Sequence, residues 1–271
     1  MQDRLRLMAV LAHPDDESLG LGGTLARYAA EGVETFLVTA TRGENGRQGA
    51  SRATSPEQLG RLREAELRAA ARVLGIREVS LLDYPDGALD SVQPEHAIGR
   101  IVSHIRRVRP DIVITFGPEG AYGHPDHIAI SQFTTAAVVE AARGPHQVAK
   151  LYYVVWTAAK WDSYQTALKK LVSRVDGVER QATPWPDWAV TTALDTAAHW
   201  PTAWRAISCH ESQMSVYQNL SSLSAEQHRA LWGTQEFYRA FSRVNGGRRV
   251  ETDLFEGLRA HAPMEVLRAA S

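Results

Sequence analysis

Short apolar runs alternate with helix-length segments through the first 156 residues, and that alternation leaves few folds open. The runs are "LRLMAVLA" at 5–12, "VETFLVTAT" at 33–41, "VSLL" at 79–82, "DIVITF" at 111–116 and "VAKLYYVVW" at 148–156. They read as strands buried on both faces, which is the condition of a parallel sheet covered by helices on each side. Between them lie "SLGLGGTLARYAAEG", closed by Gly32, then "SPEQLGRLREAELRAAARVLG", "PEHAIGRIVSHIRRVR" and "HIAISQFTTAAVVEAAR". The second of these carries its own punctuation. Ser55 is placed as an N-cap, Pro56 sits at the first helical position, Gln58 completes a capping box and Gly75 stops the helix. The expected fold is α/β, a three-layer α/β/α Rossmann-like arrangement with a mainly parallel sheet. Residues 1–156 form the core and 157–271 a less regular C-terminal lobe that completes the pocket, the whole being a single domain. In such a sheet the ligand site lies beyond the carboxyl ends of the strands.

After residue 156 the pattern loses its regularity. All seven tryptophans, Trp156 to Trp232, fall there and are expected to fill the core of the lobe, the alternative being that one or two line a pocket. The segment "SRVNGGRRVETDLFEGL" carries a turn signal at Gly246–Gly247 with room for a short strand on either side. Several function classes are set aside by composition. A net charge of -1 lacks the basic excess of a nucleic-acid surface. No uncharged run is long enough for a bilayer. The single cysteine, Cys209, suits a reducing compartment, and "MQDRLRLMAVLAHPDD" does not read as a signal peptide, so a cytoplasmic protein is expected.

The chemistry is concentrated in two places. "AHPDDE" at 12–17 follows the first strand, and "GAYGHPDHIAI" follows the fourth. His13 and Asp16 are spaced to face one ion from a tight turn, and His124, Asp126 and His127 form the second cluster. A lone His–Asp pair is usually a loop hydrogen bond. Two H-P-D clusters, each after a strand, are much harder to explain that way. In a doubly wound sheet the first and fourth strands can be neighbours, which would make the clusters meet. Two imidazoles and one carboxylate suit a catalytic zinc, which keeps three protein ligands and one open position.

These motifs resemble those of the LmbE-like (PIG-L) family of zinc-dependent N-acetylglucosaminyl deacetylases. "TRGENG" at 41–46 is similar to that family's loop after the second strand, "RLREAEL" to its Arg-x-x-Glu-Leu helix, "YPDGAL" to its Asp-Gly-x-Leu turn, and "CHESQ" to its late histidine element, here His210, Ser212 and Gln213. The matches span most of the chain, from near residue 5 to 213. One departure stands out: a lysine is expected near position 203, where this chain has Ala203. The resemblance implies one zinc ion per chain held by His13, Asp16 and His127. It implies Asp15 as general base, beside the ligand Asp16 and not spent on metal. It places Arg63 and Asp86 near sugar hydroxyls.

The residues support further expectations. Protonated His124, oriented by Asp126, is expected to steady the oxyanion of a tetrahedral intermediate. Tyr122 is expected to add a hydroxyl to the carbonyl pocket. The amine's proton comes back from Asp15 or from His124, and sequence does not separate them. Arg42, Glu44 and Arg47 lie in a Gly-rich loop that either contacts substrate or is simply solvated. Glu17 is expected to orient loop amides or a ligand histidine, and His210 to hydrogen-bond behind the metal or to sit satisfied in the core. The expected reaction is removal of acetyl from a small N-acetylglucosamine-type substrate. An amidase acting on a thiol conjugate of the mycothiol or bacillithiol type is the rival within enzymes. A sugar-binding module without catalysis is the rival outside them, although no G-x-G-x-x-G follows the first strand. No nucleic-acid or membrane partner is expected, and homo-oligomerisation stays open.

Overall fold

The computed structural model describes residues 4–46, 55–168, 172–175, 177–245, 247 and 249–259. The elements run β1 (Arg6–Leu11), α1 (Asp16–Ala30), β2 (Glu34–Thr41), α2 (Pro56–Leu74), β3 (Glu78–Tyr84), α3 (Pro94–Val108), β4 (Ile112–Phe116), the four-residue turn α4 (Gly120–Gly123), α5 (Pro125–Ala141) and β5 (Lys150–Val154). Then follow α6 (Ala158–Leu168), the hairpin β6 (Ser173–Val175) and β7 (Val178–Arg180), β8 (Thr192–Asp195), α7 (Trp200–Ser208), α8 (Ala225–Trp232) and β9 (Thr234–Ser242). A seven-stranded sheet in the order β3-β2-β1-β4-β5-β9-β8 forms the centre. The first five strands are parallel, and helices cover both faces. This is the expected α/β/α fold.

Burial explains the strand choices. Leu7, Met8, Ala9, Val10 and Leu11 of β1 are all essentially inaccessible, because β1 is a central strand with helices above and below. The helix α2 begins and ends where its punctuation places it. Ser55 accepts the Gln58 amide, and Gly75 adopts a left-handed conformation at the C-cap.

The second half is more regular than expected. β9 inserts antiparallel between β5 and β8, so residues beyond 156 extend the main sheet. The turn at 246–247 falls partly outside the described residues. The strand before it is β9, and among the described residues after it there is a single bridge, Thr192 to Glu251. A buried network ties that segment down. Glu251 accepts from Lys150, Tyr152 and Thr192 at 2.8, 2.6 and 2.8 Å, and Arg239 pairs with it at 2.6 Å. The tryptophans divide. Trp232 is buried in a second cluster around Tyr164, Leu220 and Leu231, and Trp161 is buried against Trp156 at 5.5 Å, whereas Trp188 is 86% exposed.

Two helices meet unusually closely. A side chain on Gly22 of α1 would meet the Ala203 Cβ of α7 at 2.8 Å. Ala203 is fully buried against that face, so a lysine at position 203 would have to push the two helices apart. No described helix is long and apolar enough to cross a membrane.

Candidate active site

β1 and β4 pair directly, with Ala9 opposite Ile114, so the loops that leave their carboxyl ends lie side by side. Asp15 is the N-cap of α1 and Asp16 its first residue. His124 is the N-cap of α5, and Asp126 and His127 stand in its first turn. Asp15 has φ 105°, a conformation disfavoured for any residue with a Cβ. It is held there by its amide, which donates to Glu17 Oε2 at 3.0 Å, and by its carboxylate contacts across the fold.

Three side chains converge. His13 Nδ1 lies 3.1 Å from His127 Nε2 and 3.7 Å from Asp16 Oδ2, and His127 Nε2 is 3.5 Å from Asp16 Oδ1. Donors placed 2.0–2.2 Å from a tetrahedral zinc lie about 3.3 to 3.5 Å apart, so the triangle fits that ion. The surroundings agree. His127 stacks on Phe116 at 4.0 Å, and burial lowers its pKa well below the ordinary value, which leaves the neutral donor form a metal needs. His13 is pulled the other way. Burial pushes its imidazole down, but Asp126, Asp86 and Asp16 together hold it up to about 10, the mark of a centre that favours positive charge. His124 also brings a ring nitrogen within 4.8 Å of those of His13 and His127.

The flanking residues take places that sequence alone did not assign. His124 Nδ1 accepts the Asp126 amide at 3.2 Å, so the remaining proton of its ring belongs on Nε2. Burial, then the charge of His13, pushes its pKa down to about 4. The expectation of a protonated His124 is thereby corrected to a neutral imidazole with Nε2–H as donor. The carboxylate of Asp126 does not orient it. That group is fully buried, lies 3.1 Å from His13 Nε2, and accepts the Gly87 and Leu89 amides at 2.8 and 3.0 Å. The Tyr122 ring packs edge-on at 5.4 Å from His127 and 5.9 Å from His124, and burial raises its hydroxyl pKa.

Arg63 is 4% exposed and points inward, donating to Gly43 O at 2.8 Å, Pro14 O at 2.6 Å and Asp15 Oδ2 at 2.9 Å. Its guanidinium fills the space where a side chain at Gly43 would project, and Gly43 has φ +65°, so the loop needs glycine twice over. The guanidinium thus grips Asp15, a contact that the expected place near sugar hydroxyls did not include. Asp86 likewise turns inward, with Oδ1 3.1 Å from His13 Nε2. Glu44 Oε1 accepts the Asp86 amide at 2.9 Å, while its buried Oε2 has no partner. Arg42 pairs with Glu64 and Asp83, and Arg47 lies outside the described residues. Glu17 and His210, both fully buried, pair at 2.9 Å and join the start of α1 to the "CHESQ" turn. Glu66 holds the same turn through the Ser212 amide and hydroxyl, each at 2.7 Å.

One residue of the site had no motif to announce it. Tyr217 is buried and donates its hydroxyl to Asp15 Oδ2 at 2.7 Å. Its only sequence signal is its place four residues after the "CHESQ" element.

Comparison with known proteins gives the same direction. The family described as "PIG-L: GlcNAc-PI de-N-acetylase" matches residues 8–138. A 1D-myo-inositol 2-acetamido-2-deoxy-alpha-D-glucopyranoside deacetylase from Kineococcus radiotolerans is 33% identical, with 93% of this chain and 83% of that protein covered. The N,N'-diacetylchitobiose deacetylase of Pyrococcus horikoshii shares the fold at a TM-score of 0.63 and 17% identity, covering 88% of this chain and 84% of that one. The 4-carboxy-2-hydroxymuconate hydratase of Pseudomonas putida shares it at 0.66 and 18% identity, covering 90% and 99%. Deacetylation and hydration occur on one architecture, so the fold alone does not name the reaction.

Proposed function

Since the chain belongs to the PIG-L (LmbE-like) family of N-acetylglucosaminyl deacetylases, we propose that it hydrolyses the acetamide of a small N-acetylglucosamine conjugate, with inositol as the aglycone. The near full-length similarity to an inositol-linked deacetylase supports the aglycone. The observation that carries the chemistry is the His13–Asp16–His127 triangle with Asp15 beside it, unspent on the ion. Zinc is the cofactor of this reading, held by those three residues. When bound, it supplies Lewis acidity that acidifies a water and polarises a carbonyl.

The chain's own groups do the rest. Asp15 accepts the proton of the attacking water. Arg63 and Tyr217 both bind its Oδ2, so the carboxylate keeps one orientation and Oδ1 is the oxygen left for the proton. Neutral His124 donates Nε2–H to the oxygen that gains charge as the carbonyl becomes tetrahedral. Tyr122, protonated and beside both histidines, lines the same pocket. Asp15 returns the proton to the departing amine, because a neutral His124 has none to spare. Glu44, on the loop after β2, is assigned to a sugar hydroxyl, which reaches its buried, unpartnered Oε2 when that loop shifts.

The test is amine release by the zinc-loaded protein from a panel: the N-acetylglucosaminyl inositol, free N-acetylglucosamine, diacetylchitobiose and an acetylated cysteinyl thiol conjugate. Highest kcat/KM on the inositol conjugate is expected. Cleavage of the thiol conjugate alone would establish the rival amidase reading, and no amine from any of them would sink both.

A further inference from the structure

We infer that Asp86 is a positioning residue for the metal centre, which with Asp126 clamps the Nε2–H of His13 and so presents that histidine's Nδ1 to the ion. The inference rests on the zinc reading above and goes past it, since the resemblance placed Asp86 at the sugar. Asp86 Oδ1 and Asp126 Oδ2 each lie 3.1 Å from His13 Nε2, on the side of the ring away from His127 and Asp16. An unprotonated nitrogen would set its lone pair against two carboxylate oxygens. Nε2 therefore carries the proton, and Nδ1 keeps a free lone pair.

Neither carboxylate can swing away. Asp86 Oδ2 accepts the Asn45 amide at 2.9 Å, its own amide donates to Glu44 Oε1 at 2.9 Å, and its carbonyl accepts from Asn45 Nδ2 at 2.7 Å. Asp126 accepts the amides of Gly87 and Leu89, the first and third residues after Asp86. The loops after β2 and β3 and the start of α5 are thus locked together around one imidazole edge. All three participants are nearly out of solvent, at 8% exposure for His13 and Asp86 and none for Asp126.

Asp86→Asn separates this role from a sugar contact. The asparagine oxygen stays on the Asn45 amide, which turns the NH2 group toward His13 Nε2. Two donors would then face each other, and the ring is driven toward the tautomer with its proton on Nδ1, the atom the ion needs. Zinc affinity, measured by competition with a chromogenic chelator, should fall about 10–100-fold, the range for losing a carboxylate behind a ligand histidine. The visible absorption of the cobalt-substituted protein should change with it. Asp86→Ala, which removes the acceptor without adding a donor, should lose less affinity than Asp86→Asn. Wild-type zinc affinity and cobalt spectrum in both variants, with only KM raised, would overturn the inference and return Asp86 to the sugar. Failure of the wild-type chain to bind zinc at all would instead overturn the metal reading, and this inference with it.

Discussion

Tyr217 reaches back across 202 residues of sequence to hydrogen-bond Asp15, its hydroxyl 2.7 Å from the same oxygen that Arg63 binds at 2.9 Å. One carboxylate oxygen is thereby held by α2 on one side and by the late loop on the other. The turn that carries Asp15 is strained, at φ 105°, so these two donors, with Glu17 on the Asp15 amide, fix where the other oxygen points.

Tyr217→Phe should keep zinc and fold but lower kcat. A hydrogen bond to a charged group contributes about 1.5–3 kcal/mol, which sets a loss of roughly 10–100-fold. KM should change little, because Tyr217 is buried and its hydroxyl is spent on Asp15. Asp15→Asn should lose more, on the order of the 10²–10⁴-fold of a removed general base, again with zinc retained. Turnover unchanged in Tyr217→Phe would show that Arg63 alone holds the carboxylate.

Removing a corner of the donor triangle should remove the ion. His13→Ala, Asp16→Ala and His127→Ala should each purify with far less zinc than the wild type by elemental analysis. Chelation of the wild type should abolish deacetylation, and added zinc should restore it. Full zinc content in His127→Ala would shift attention to His124, whose ring lies 4.8 Å from that of His13.

Much of this is legible in the sequence. The apolar runs inside β1, β2, β4 and β5 announce burial on both faces, whereas the edge strand β3 carries Glu78, Ser80 and Asp83. β9 was missed because "TQEFYRAFS" mixes polar with apolar residues, and a central strand is not expected to carry them. The fold satisfies the three that most oppose a strand. Gln235 bonds Gly20 O and Thr24, Glu236 takes the Thr157 hydroxyl, and Arg239 pairs with Glu251. The two H-P-D clusters located the site, but side-chain direction was not readable. Asp126 stands two residues from His124 and turns its carboxylate to His13, because α5 begins there and the amides of Gly87 and Leu89 draw it the other way. Tyr217 sits in a stretch without periodicity, so only tertiary folding reveals it.

The family's lysine cannot be restored at position 203 without cost. Ala203 has no exposure, and it packs so closely on Gly22 of α1 that a Cβ on that glycine would meet the Ala203 Cβ at 2.8 Å. Ala203→Lys would overpack the α1–α7 contact and bury an ammonium without a partner. A loss of about 3 kcal/mol or more is expected in chemical denaturation. An unchanged midpoint would mean that α7 moves outward at little expense.

The buried Glu251 makes stability depend on acid. Burial alone would push its carboxyl up, but hydrogen bonds from Lys150, Tyr152, Asn245 and Thr192 outweigh that and hold it down to about 2, against an ordinary value of 4.5. A carboxyl whose pKa is lower in the folded than in the unfolded state stabilises the fold fully above the unfolded value. That stabilisation, about 3 kcal/mol for such a difference, is lost as pH falls from about 4.5 towards 2. Glu251→Gln cannot titrate. It should be less stable than the wild type at neutral pH, where it leaves the fully buried Lys150 ammonium without its carboxylate. Its disadvantage should shrink as the wild type loses its own advantage below pH 4.5. The measurement is the free energy of unfolding by denaturant for both proteins between pH 2.5 and 7. A gap between them that stays constant over that range would show that Glu251 does not control the acid limb, and that other carboxylates do.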